Sequence, residues 1–181
     1  MRRLALAVAL LAVALGALAA CGGSTTGGPA ITYPPESAQP TTADTPAVDL
    51  TVAAVTKALS EQGLQLQDPQ RPFRPAEGPA LAGTPRVVYQ VVPPDDPDEG
   101  YLVIYDLPDA SRAAASGADQ AAYLATGPVR VQMTIGTKHV LRQVGSTVVL
   151  YSWIPGTSPD ERMPLIQDAL QTVGAPIEVP S

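Results

Sequence analysis

The sequence predicts an α+β domain in two layers, with an antiparallel sheet of about five strands and about three helices over one face. Three observations predict it. Runs rich in Val, Ile, Leu and Tyr are short and bounded by Pro, Asp or Gly, as strands are. Longer stretches with alanine or 3.6-residue apolar periodicity separate them, as helices would. Gly-Thr and Gly-Ser pairs join neighbouring runs, and such two-residue turns connect antiparallel hairpins.

The elements follow in the order helix, two strands, helix, three strands, helix. The first helix is expected over Val48–Gln62, where Val52, Val55 and Leu59 share a face. Asp49 or Thr45-Pro46 can cap its start, and Gly63 stops it. "RVVYQVV" and "YLVIYD" are the first two strands. The alanine-rich stretch Asp109–Thr126 is a helix with Asp109 as its cap and Gly127-Pro128 as its end. Val129–Ile135, Lys138–Val144 and Thr147–Trp153 are three further strands, turned at Gly136-Thr137 and Gly145-Ser146. Ser158-Pro159-Asp160-Glu161 has the spacing of a capping box with proline at the first helical position. Leu165, Ile166, Ala169, Leu170 and Val173 give the last helix its apolar face before Gly174, while Pro164 delays or kinks its start.

Composition bounds the function. The 181 residues suffice for one ordinary domain. Seventeen acidic against eleven basic side chains give a net charge of −6, and loss of Arg2 and Arg3 with a leader would make it −8. Such a chain repels phosphate backbones, and no basic stripe counters this, so nucleic acid is not an expected partner. Twenty prolines and fifteen glycines cluster in linkers and loops rather than in a repeat.

The amino-terminal segment gives a location. Met1-Arg2-Arg3 precedes an apolar run, Leu4–Ala20, whose helix would reach about 25 Å, short of the ~30 Å of hydrocarbon a span must cross. Small residues then lead into the single cysteine. This is the layout of a secretory signal peptide. Leu18-Ala19-Ala20-Cys21 resembles the lipobox of bacterial prolipoproteins. The resemblance implies diacylglyceryl transfer to the Cys21 thiol, cleavage before it, and anchoring through the acyl chains. The expected location is the cell envelope, on the outer side of the cytoplasmic membrane or in the outer membrane. Gly22 lacks the acidic retention signal of inner-membrane members, which favours the outer membrane where two membranes exist. The expected layout is a leader over residues 1–20, a Gly/Ser/Thr/Pro-rich tether over 21–47 that is too polar to fold, and a single domain over 48–181. The second half also loosely resembles small envelope lipoproteins, and that likeness implies no activity.

Few residues of the domain suggest chemistry. Asp95-Asp96-Pro97-Asp98-Glu99-Gly100 lacks the ligand spacing of an EF-hand and is expected as a solvated hairpin tip. His139, the only histidine, has no Gly-x-Ser-x-Gly elbow to serve and is expected as a surface residue. A hydrolase using Asp106 and His139 requires the two to meet. Asp109 already has a role as a helix cap. If both hairpin turns hold two residues, Arg142 shares an inward face with Val140, Val144, Val149, Tyr151 and Trp153. It must then pair with a carboxylate or backbone carbonyls or extend its head to water, and ligand binding is a further reading. The expected function is a non-catalytic interaction module on a lipid anchor, without a cofactor. Its envelope partner would meet an exposed apolar patch, either around Phe73, with Arg71, Phe73 and Arg74 of the proline-rich loop as contacts, or along an uncovered sheet face. In the other view of that loop, Phe73 plugs the core. The alternative function is a small-ligand pocket between sheet and helices using Arg142 and Tyr151.

Overall fold

The computed structural model describes residues 42–70, 73, 75–92, 100–127, 129, 136–153 and 163–180. The leader, Cys21, most of the tether, Arg71, Arg74, the acidic connection 93–99, the expected strand beyond Val129 and the Ser158 capping box lie outside them. Gly127 and Val129 themselves are helical.

Among the described residues, three named helices and a six-stranded antiparallel sheet form an α+β fold. The elements are α1 (Pro46–Ser60), β1 (Gln65–Gln67), β2 (Arg86–Val92), β3 (Tyr101–Asp106), α2 (Ala110–Leu124), β4 (Lys138–Val144), β5 (Thr147–Trp153), α3 (Met163–Gln171) and β6 (Ala175–Ile177). The strand order is β1-β2-β3-β5-β4-β6. β2, β3, β4 and β5 start and end where the sequence places them. Gly145-Ser146 is a two-residue turn, Gly145 taking a φ of 57°, and it sets the register Val144↔Thr147 through Lys138↔Trp153.

Helices cover both faces of the sheet, where one covered face was expected. α1 and α3 pack on Leu102, Ile104, Val140, Val149, Tyr151 and Trp153. α2 lies on the opposite face with Val103, Tyr105, Leu141, Val148 and Leu150, joined by Leu81 from the loop before β2. The cause is visible in β3, whose residues Leu102 to Tyr105 are all buried and so need cover on both sides.

The domain also begins earlier than expected. Thr42 pairs in parallel with Arg86, the Ala43 amide donates to the Arg86 carbonyl at 3.2 Å, and Ala43 is buried. Pro46 occupies the first turn of α1, where its missing N–H costs nothing, and Thr45 accepts from the Val48 amide. Residues 42–47 thus belong to the fold rather than to the tether.

Candidate functional site

Arg142 sits on β4 opposite Val149, on the face that packs against α1 and α3. Its guanidinium is 2.7 Å from each of three carbonyls: Nε donates to Val173, and Nη2 donates to Gln171 and Gly174. These are orphan acceptors at the end of α3, where the backbone has run out of amide donors. Burial pulls the guanidinium pKa down, opposed by the Glu178 carboxylate, yet an arginine stays charged in a protein. The sequence requirement that Arg142 find a partner is met by backbone, and its Nε and Nη2 are occupied. Gly174 completes the junction with a φ of 58°, and a Cβ there would run into the Gln143 carbonyl.

Tyr151, the other residue of the expected ligand pair, is fully buried in the same layer with its ring 5.2 Å from that of Trp153. Arg142 and Tyr151 therefore share a face, but one is engaged at the α3 terminus and the other lies within the core.

The opposite face carries an apolar row running across Val88, Val103, Leu150, Leu141 and Ile177. One step along the strands is a polar row, Gln67, Gln90, Tyr101, Ser152 and His139, contributed by five successive strands. Residues directly opposite in antiparallel strands share a face, so these side chains lie side by side. His139 Nδ1 and Ser152 Oγ are 2.8 Å apart. Phe73 stacks on Tyr101 with centroids 4.2 Å apart and the rings nearly parallel. The Gln70 amide donates to Gln90 Oε1 at 3.4 Å.

One expectation is corrected here. His139 is not a plain surface residue: it is half-buried, and burial pulls its imidazole down to about 4, leaving it neutral at pH 7. Phe73 is half-buried and packs against the α2-side core, in keeping with the view that it plugs the core. The hydrolase requirement also fails. Asp106 pairs with Thr147 and His139 with Ser152, so the two lie about 17 Å apart along the strands. Alternation also places them on opposite faces.

A second buried cluster escaped sequence analysis. Arg86 and Tyr105 are cross-strand partners, and Glu77 reaches over from the preceding loop to pair with Arg86. Burial, reinforced by the Glu77 carboxylate, pushes the Tyr105 phenol far above its usual range. The same loop is tied to α2 by Gln120, which accepts from the Gly78 amide at 2.8 Å and donates to the Ala76 carbonyl at 2.7 Å. No short sequence motif marks this cluster, because its members come from a loop and two strands.

Among the described residues, no group of three His, Cys, Asp or Glu side chains is placed to hold a metal ion, and no helix is long and apolar enough to cross a membrane. Leu50 on α1, 72% exposed, is the large hydrophobic that stands clear of the core among them. No protein-family model, no curated protein and no solved structure matches this chain.

Proposed function

We propose that this protein is a lipid-anchored lipoprotein of a bacterial cell envelope whose α+β domain acts as a non-catalytic interaction module. The observation that carries the reading is Leu18-Ala19-Ala20-Cys21 directly behind a charged start and an apolar run. Two or three acyl chains on Cys21 would each bury many methylenes at about 0.8 kcal/mol apiece, enough for durable anchoring. The domain adds support through the way its charged side chains are used. Arg142 holds the end of α3, Arg86 and Glu77 hold each other, and Asp109 accepts from the Arg112 amide to cap α2. A small-ligand site on Arg142 and Tyr151 gains no comparable support.

The test has two readouts. Cells expressing the tagged chain are fed an alkyne-bearing fatty acid, and the chain is followed by label and by membrane fractionation. Label on the chain and membrane retention, both lost in Cys21→Ser, is the expected result. An unlabelled, fully soluble parent chain overturns the anchor. Crosslinking in the same cells then tests the module. A partner recovered near stoichiometrically is expected, and recovery of the chain alone refutes that half.

A further inference from the structure

At the β4 edge of the sheet, three residues of β6 lie in a groove between β4 and α2. Ala175, Pro176 and Ile177 pair with Gln143, Arg142 and Leu141. Ile177 enters a notch that exists because residue 117 of α2 is glycine; a Cβ there would run into Ile177 Cδ1. Val179 continues the contact with the α2-side core, whereas Ala175 and Pro176 are exposed. The groove thus reads an extended segment through β4 backbone and one aliphatic anchor, in the manner of strand-addition peptide sites.

Two features bear on how the segment is held. Pro176 has no N–H, so β6 cannot carry a complete ladder to a further strand on its outer side. Pairing of another chain with this edge therefore requires that β6 leave. The junction it would pivot on, Gln171 to Gly174, is held by the three Arg142 hydrogen bonds. Releasing one side chain frees both ends of that junction.

We propose that the β4–Gly117 groove is a strand-exchange site, filled within the chain by Ala175–Ile177 and able to take the same segment from a second copy, with Arg142 as the latch. A second copy is the occupant because the sequence that fits the notch is the chain's own. Exchange of an identical element is a low-cost route to dimers. The inference is independent of lipidation at Cys21.

The experiment uses a labelled peptide of residues 174–181, followed by fluorescence anisotropy. Ile177→Asp removes the internal anchor and leaves Arg142 in place. The peptide should bind this variant at least tenfold more tightly than the parent chain, and a peptide carrying the same Ile→Asp change should not bind. Arg142→Met should shift from monomer to dimer with rising concentration in sedimentation, and the added Ile177→Asp change should abolish that dimer. Hydrogen exchange on the parent chain gives a readout that needs no variant. The Ile177 amide should exchange by local opening at least tenfold faster than that of Leu150. A folded Ile177→Asp chain that ignores the peptide overturns the proposal. So does a dimer that survives loss of Ile177, or an Ile177 amide that exchanges only as slowly as Leu150.

Discussion

Arg142→Met isolates what one guanidinium does for the end of a helix. Methionine keeps an unbranched apolar stem in the space beneath α3 and removes the donors. Three charge-assisted hydrogen bonds are lost. Gln171 and Gly174 are exposed, so water can replace the guanidinium at their carbonyls, whereas Val173 is buried. Bonds to a charged group contribute about 1.5–3 kcal/mol, and resolvated ones about 1 or less. The sum is about 3 kcal/mol of stability. For a domain of about 140 residues this lowers the melting midpoint by roughly 10 °C. Thermal and urea unfolding followed by circular dichroism at pH 7 measure it. Arg142→Lys should fall between the two, because an ammonium is a point charge without the planar fork. A midpoint within 2 °C of the parent for Arg142→Met would refute the capping role, and so would full stability in the lysine variant.

Three further outcomes are expected. Gly174→Ala places a methyl against the Gln143 carbonyl at a φ of 58° and should cost about 3 kcal/mol or more in urea unfolding. Glu77→Ala strands Arg86 in a largely buried site and should cost about 3–5 kcal/mol, with much of that recovered when Arg86→Met is added. His139 has a folded pKa of about 4 against about 6.5 unfolded. Below 6.5 the unfolded chain takes up a proton that the folded chain refuses, so stability complete above that pH declines as pH falls toward 4. Partial exposure and solvent screening reduce the effect to about 1–2 kcal/mol. His139→Gln should remove that much of the pH slope between 6.5 and 4 in urea midpoints.

The β2–β3 and β4–β5 pairs were legible because each strand is a short run carrying Val with Leu, Ile or Tyr and is followed closely by Pro, Asp or Gly. The two-residue turn at Gly145-Ser146 also made the register calculable. That register puts Arg142 on an inner face, and it equally places His139 opposite Ser152. The three-residue strands β1 and β6 left no such signal. Gln65-Leu66-Gln67 and Ala175-Pro176-Ile177 pair because β2 and β4 offer them an edge, not because of propensity. The covered second face was encoded in the unbroken apolar run Leu102–Tyr105, which argued for burial on both sides against a two-layer reading. The carbonyl partners of Arg142 lie 29 to 32 residues away, across a packing contact that no local pattern reports. At the amino-terminal boundary the cap Thr45-Pro46 was legible, whereas the bridge from Thr42 to Arg86 joins residues 44 apart and left no local signal.

The parallel bridge between Thr42 and Arg86 has a mechanical side. Any pull on the chain before residue 42 enters the fold at the Ala43 amide and its bond to the Arg86 carbonyl. The next fixed points are the Thr45 cap and then Val48 and Thr51, both buried, with the Thr51 hydroxyl 2.8 Å from that of Thr147 on β5. Tension would therefore load the Ala43 bond and the Thr45 cap before the threonine pair. The first residues of the fold thus stand in series with the hydrophobic layers, so a load on the chain reaches Ala43 and Thr45 before it reaches the sheet.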